Sequence, residues 1–181
     1  MSDALTKLLI SGTFETLYMV LLAGFITLLI GLPIGVVLFI TRAQSLRENA
    51  LINRSLGLIV NVTRSVPFII LIIALIPLTR LFVGSSIGST AAIVPLTIGA
   101  IPFFARIVES AISEVNPGLI EAGQSMGATT QQIIFRIMLP EALPAIINGF
   151  TLMLIALVGY SAMAGTVGGG GLGAIAINYG Y

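Results

Sequence analysis

Long apolar blocks separated by short polar segments organise this chain of 181 residues. Residues 16–41 contain no charged side chain, and further apolar runs cover 56–78 and 91–105 and follow Pro144. A helix that crosses a bilayer needs about 20 mostly apolar residues. The pattern therefore predicts four membrane-spanning helices, the first of them bent at "GLPIG", residues 31–35.

The composition agrees with this pattern. Hydrophobic residues make up 57% of the chain and charged residues 8%, and the mean hydropathy is +1.12. Soluble domains carry about 25% charged residues, so we predict an all-α, polytopic integral membrane protein. Cysteine and histidine are absent and the net charge is +1. This argues against thiol chemistry, most zinc sites and nucleic-acid binding, so we expect no catalytic or metal site.

The basic residues indicate the orientation, because Lys and Arg concentrate in cytoplasmic loops. Two loops are basic, the one after the first span and the one after the third: Arg42, Arg47, Arg54, Arg106 and Arg136. The second loop holds only Arg80, and the N-terminal segment only Lys7. We therefore predict that the N-terminus lies outside and that the first and third loops are cytoplasmic.

The third loop is unusually polar and reads "NPGLIEAGQSMGATTQQIIFRIMLP". Asn116 and Pro117 are placed as the N-cap and first residue of a short helix. Gly127 fits the end of that helix, and Thr129 with Gln132 has the spacing of a capping box for a second one. The spacing predicts a helix–glycine–helix elbow at the membrane surface.

The surface of this elbow is predicted to combine a charge with small residues. Gly123 and Gly127, four residues apart, are expected to share one face and to let another backbone approach closely. Glu121 supplies a negative charge on the first helix. An interfacial amphipathic hairpin with no partner explains the same spacing equally well.

A known motif covers this segment. Glu121-Ala122-Gly123 is followed after three residues by Gly127, and after nine more by Ile137, one residue and Leu139-Pro140. The spacing resembles the EAA loop of bacterial ABC importer permeases, except that Gly123 stands where the family has a second alanine. The resemblance implies that the loop couples the permease to a separate ATPase through these residues: Glu121, Ala122, Gly123, Gly127, Ala128 and Thr129.

The resemblance extends over most of the chain, and "LVGYSAMAGTVGGGGLGAIAINYGY" is similar to the methionine-importer branch of that family. It implies one permease domain over residues 1–181, with the coupling loop at 116–140, in the inner membrane of a bacterium. It further implies a homodimer, two ATPase subunits that hold ATP and Mg²⁺, an external solute-binding protein, and D- or L-methionine as substrate. That branch has five spans, so we expect a fifth helix and a basic tail beyond these four.

The glycine-rich segment 159–173 is either a flexible loop or a gate. The resemblance places it at the translocation path, where the relevant side chains are Tyr160, Ser161, Met163 and Asn178. Arg64, near Pro67, is either an interfacial residue that snorkels to the cytoplasm or an ionisable group that functions at membrane depth.

Other functions remain possible from the residues alone. The chain lacks the P-loop pattern and a nucleophile–base pair, so we expect a non-catalytic subunit with no cofactor of its own. The substrate could be another amino acid or a small osmolyte. In a different class, the chain could be a membrane scaffold that docks a cytoplasmic protein through the elbow and transports nothing.

Overall fold

The computed structural model describes residues 3–180, apart from the side chain of Ala4. All regular elements in this part are helical, as predicted. The α-helices are α1 (Asp3–Ile40), α2 (Ala50–Ser65), α3 (Phe68–Ala74), α4 (Ile76–Val83), α5 (Ser89–Ser113), α6 (Pro117–Ser125), α7 (Thr130–Ile133), α8 (Leu139–Thr166) and α9 (Gly171–Tyr179), and a π-helical turn (Ile134–Met138) joins α7 to α8.

Length and composition allow three helical stretches to cross a bilayer, namely Leu5–Ile40, Ser89–Ser113 and Thr130–Thr166. The pair α2 and α3 qualifies together, with a bend of 105° between them. The four predicted spans are therefore present when this pair counts as one. Large apolar side chains are exposed along the outside, such as Phe14 at 69% and Leu152 at 62%, as a lipid-facing surface requires.

Helix α5 lies at the centre of the bundle and packs against α1 and α8. Its Leu96, Phe104 and Val108 are completely buried. Glycines bring the helices close together: a Cβ on Gly31 of α1 would lie 3.0 Å from Phe104, and one on Gly35 would lie 2.5 Å from the Ala105 carbonyl oxygen. Membrane helices associate through such small residues because lipid provides no hydrophobic drive between them.

The first span forms a single helix, and its bend at residues 31–35 stays a prediction. The "GLPIG" segment does not interrupt α1, which is one continuous helix through Pro33. Gly31 and Gly35 instead serve close packing on α5. A proline inside a membrane helix is tolerated where neighbouring helices support the backbone.

The second span is broken rather than continuous. Val66 is extended (φ −83°, ψ 125°) and separates α2 from α3. Pro67 explains the break, because it has no backbone N–H to donate and it disfavours helical geometry at the preceding residue. A second irregular residue, Leu75, then separates α3 from α4.

The glycine-rich segment is more ordered than a flexible loop. Helix α8 continues to Thr166, and a tight turn leads directly into α9. The Gly169 N–H donates to the Ala164 carbonyl at 2.9 Å, and the Gly88 N–H donates to the Gly168 carbonyl at 2.8 Å. Gly168 and Gly170 have φ values of 87° and 77°, which only glycine adopts without strain.

Candidate functional site

The predicted elbow is present in the third loop. Pro117 is the first residue of α6, and the Asn116 side chain accepts a hydrogen bond from the Gly118 N–H at 2.9 Å. This cap satisfies one of the free donors at the start of the helix. The prediction for the beginning of the elbow is confirmed.

The first helix ends in a left-handed glycine turn. Gly127 has φ 77°, its N–H donates to the Gln124 carbonyl at 2.9 Å, and the Ala128 N–H donates to the Gly123 carbonyl at 3.0 Å. This pair of bonds is a Schellman motif. The prediction that Gly123 and Gly127 share a helix face is therefore wrong, because Gly127 lies beyond the last residues of α6.

Gly123 packs inside the chain rather than on the outer surface of the elbow. It is buried, and a Cβ at this position would lie 2.7 Å from Cδ1 of Ile137. Its small size lets α6 lie against the π-helical turn. Gly123 therefore allows a close contact within this chain, with Ile137, whereas the sequence analysis expected close approach by another backbone.

The second half of the elbow has the predicted capping box. The Gln132 N–H donates to Thr129 Oγ1 at 3.3 Å, and the Thr129 N–H donates to Gln132 Oε1 at 2.8 Å. The π-helical turn that follows was not predicted. Pro140 offers a reason for it, since a residue without an N–H cannot complete the regular ladder at the start of α8. Such π-helical turns are frequent at functional sites.

The remaining coupling residues are accessible. Glu121, Ala122, Gly127 and Thr129 are exposed, and Ala128 is half-buried. Glu121 also lines a cavity of about 350 Å³ between α6 and the first loop, together with Arg42 and Gln124. The elbow therefore presents an accessible carboxylate on a helix that is capped at both ends.

One exposed apolar residue of the elbow was missed by the sequence reasoning. Met126 is 80% exposed and lines a groove of about 420 Å³ with Gly127, Ala128 and Arg136. Methionine is enriched in the cores of protein interfaces. A methionine at the end of an otherwise polar helix was the sequence signal that could have identified it as a contact residue.

The structure does not bring the four predicted gate residues together. Tyr160 stacks on Phe68 with ring centroids 4.6 Å apart. Ser161 is only 2% exposed, and its hydroxyl donates to the Val158 carbonyl at 2.8 Å. Met163 is 45% exposed on α8, whereas Asn178 lines a separate cavity beside α1.

A contact between the two ends of the chain also escaped the sequence reasoning. The Glu15 carboxylate accepts a hydrogen bond from the Gly171 N–H at 2.7 Å, and Thr16 Oγ1 accepts one from the Leu172 N–H at 3.0 Å. Both acceptors belong to α1, and both donors lie at the N-terminus of α9. We call this set of four residues the α1–α9 clasp.

Comparison with known proteins agrees with the resemblance to importer permeases over nearly the whole chain. A sequence model of the family described as "binding-protein-dependent transport system inner membrane component" matches residues 31–180. The chain is 60% identical over 176 residues to the probable D-methionine transport system permease protein MetI of Vibrio cholerae, covering 97% of this chain and 78% of that protein. It is 54% identical over 165 residues to the corresponding permease of Escherichia coli K12, covering 91% and 76%.

Two solved structures of ABC transporters are also similar to the chain over nearly its whole length. An inward-facing structure of the MetNI methionine ABC transporter superposes with a TM-score of 0.98 at 54% identity, covering 100% of this chain and 84% of that one. An amino acid ABC transporter crystallised with histidines superposes with a TM-score of 0.78 at 26% identity, covering 97% and 78%.

Proposed function

Because the chain belongs to the family of binding-protein-dependent transport system inner membrane components, we propose that it is the permease subunit of an ATP-driven methionine importer. Relatives more than half identical to it are D-methionine permeases. The elbow at residues 116–140 is the observation that carries the proposal, since it offers a capped, exposed and charged element for a cytoplasmic ATPase. ATP and Mg²⁺ belong to that partner, and this chain is not an enzyme.

The coupling role rests on the stiffness of the elbow. Helix α6 is held by the Asn116 cap at one end and the Gly127 turn at the other, so movement of the ATPase surface is transmitted to α5 and α8 instead of being absorbed locally. Glu121 pairs with a basic group of the ATPase, and Met126 fills an apolar recess beside it. The attraction between opposite charges steers the docking, and Met126, which becomes buried when the ATPase binds, contributes affinity.

The assembly contains two copies of this chain and two ATPase subunits. One copy encloses too little space for a pathway, so the path lies between two copies around a two-fold axis. An external solute-binding protein delivers the amino acid to the outer face. The basic loops support an orientation with the elbow in the cytoplasm and the N-terminus outside the inner membrane.

The outer gate lies where α8 turns into α9. Tyr160, Ser161, Met163 and Asn178 remain the candidate gate residues, and Met163 is the one large flexible side chain among them that is exposed on α8. ATP binding closes the ATPases, draws the elbows together and opens the outer side. Each ligand must favour one of the two states for this cycle to run.

The test is uptake of labelled methionine into liposomes that contain the full-length permease with its ATPase, with the binding protein added outside. We expect uptake that requires ATP and the binding protein and that persists in excess unlabelled glutamine. Competition by glutamine would identify another amino acid as the substrate. An intact complex that hydrolyses ATP without methionine uptake would indicate a different solute, such as an osmolyte, and failure of the complex to form would favour a membrane scaffold.

A further inference from the structure

We propose that Arg64 binds the carboxylate of the transported amino acid halfway across the membrane, at the break between α2 and α3. This inference rests on the proposed function and adds a recognition residue to it. The register of the neighbouring helices determines the depth of Arg64 in the membrane.

The Arg64 guanidinium lies beside Phe103 of α5, with Cζ 6.0 Å from the ring centroid. On α1, Gly35 packs against Ala105 and Val108, and the next charged residue is Arg42, seven positions further on. Arg42 is therefore level with the end of α5, about ten residues or about 15 Å from Phe103.

Helix α8 gives a similar depth. Gly149 packs against Ile107 of α5, and Glu141 lies eight residues before it. The two helices run in opposite directions, so Glu141 lies about 18 Å from the level of Phe103. The hydrocarbon core is about 30 Å thick. With its cytoplasmic boundary at the level of Arg42 and Glu141, Arg64 beside Phe103 lies near its middle.

Arg106, assigned to the third loop from the sequence, lies inside α5 instead, three residues after Phe103, and its charge has partners. Arg106 forms an ion pair with Glu109 at 2.5 Å and donates to Asn61 Oδ1 at 3.0 Å. No carboxylate among the described residues 3–180 lies within ion-pair distance of Arg64. Charged groups inside the membrane line a water-filled cavity or meet a partner.

The surroundings of Arg64 are polar and open. Arg64, Asn61 and Ser65 are all exposed on α2, although lipid would be an unfavourable neighbour for them. Arg64 also lines a cavity of about 150 Å³ together with Thr63, Gly99, Phe103 and Tyr160. This face of α2 therefore belongs to the aqueous path, and Tyr160 connects it to the predicted gate residues.

The helix break provides a complementary acceptor. In an unbroken helix, the Thr63 carbonyl would accept from residue 67, but Pro67 has no N–H to donate. Thr63 and Arg64 line the same cavity, and a carbonyl that lacks its helical donor, together with a guanidinium, would match the ammonium and carboxylate of an amino acid. Broken helices in transporters place backbone groups at the substrate in this manner.

The test uses the complete transporter in liposomes and measures methionine uptake and ATP hydrolysis in parallel. We expect Arg64→Gln to reduce uptake per ATP about tenfold, as the loss of a charge-assisted hydrogen bond predicts, with ATP hydrolysis stimulated by the binding protein as before. Arg64→Lys should keep most uptake. Arg54→Gln, which removes an exposed arginine at the other end of α2, is the matched control and should leave both rates unchanged.

Chemical modification of a cysteine at position 64 distinguishes the loss of the positive charge from a folding defect. The chain has no cysteine, so Arg64→Cys introduces a single thiol when the partner subunits are also free of cysteine. We expect this thiol to react with a positively charged methanethiosulfonate and to recover uptake, whereas a negatively charged reagent should react without recovery. Leu152→Cys, at similar depth on an exposed apolar face of α8, should react far more slowly.

The results that would contradict the role of Arg64 differ from those that would contradict the proposed function. Wild-type uptake per ATP in Arg64→Gln would overturn the proposal, and so would a thiol at position 64 that reacts no faster than one at position 152. A wild-type complex that hydrolyses ATP without importing methionine would instead contradict the proposed function. In that case, protection of the Arg64→Cys thiol by another amino acid would still support carboxylate binding, and the absence of protection by any amino acid would refute it.

Discussion

Removing the Glu15 carboxylate should release the start of α9 from α1. In the α1–α9 clasp, Glu15 accepts from the Gly171 N–H at 2.7 Å and Thr16 from the Leu172 N–H at 3.0 Å. These are the capping bonds of α9, but they are supplied by a helix 156 positions away in the chain. A capping bond contributes about 1 kcal/mol, and a carboxylate at a helix N-terminus adds about 0.3–1 kcal/mol. Glu15→Ala should therefore cost about 1.3–2 kcal/mol of local stability.

Hydrogen exchange of the purified complex measures this cost directly, because amide protection reports local opening. A loss of about 1.4 kcal/mol corresponds to roughly tenfold faster exchange. We expect Glu15→Ala to accelerate exchange in residues 171–179 by about tenfold or more. Glu15→Gln, which keeps an acceptor without the charge, should have a smaller effect.

The control is Thr13→Ala on the same helix. The Thr13 hydroxyl donates to the Leu9 carbonyl at 2.8 Å, entirely within α1, so exchange in α9 should not change. Equal protection of α9 in Glu15→Ala and in the wild type would show that the clasp does not hold α9, and the reasoning would be refuted.

Three further predictions concern the elbow. Glu121→Arg should leave membrane insertion intact but reduce co-purification of the ATPase, and an undiminished yield of complex would contradict the coupling role. Gly127→Ala forces an alanine into φ 77° at a cost of about 1–2 kcal/mol and should speed hydrogen exchange in the elbow, whereas Gly159→Ala, at a helical position with open space around it, should not. Met126→Asp should weaken ATPase binding in a titration of the purified subunits, since a charge would replace an apolar contact; unchanged affinity would place Met126 outside the interface.

The sequence predicted those features whose partners lie close together in the chain. The caps at Asn116 and Thr129 involve residues two or three positions apart, so residue type and spacing were sufficient. The helix break at Pro67, with its bend of 105°, was not predicted, although the chemistry of that one residue explains it. The wrong inference about Gly127 arose from applying helical periodicity beyond the residue that ends the helix.

Features that depend on how the helices pack could not be predicted in this way. Neither Glu15 nor Gly171 carries a local signal that it will meet the other. The depth of Arg64 depends on where α2 lies along α5, and the sequence near Arg64 is equally compatible with an interfacial position. In a bundle of apolar helices the register is determined by small residues such as Gly35 and Gly149, and their partners are known only from the structure.

The distribution of rigid and adjustable segments suggests how the elbow reaches the outer side. Helix α5 leads through a short turn into α6, and the π-helical turn leads without interruption into α8, so displacement of α6 should move the inner ends of both long helices. Along α8 this displacement passes Tyr160, which stacks on Phe68 beside the break, and it ends at the turn between Thr166 and Gly171. Because that turn contains glycines with positive φ and α9 is fixed to α1 by the clasp, we expect the turn to absorb the movement while α9 stays in place. The same displacement would shift Tyr160 relative to Arg64, which links ATP-driven movement of the elbow to the residue proposed to hold the substrate.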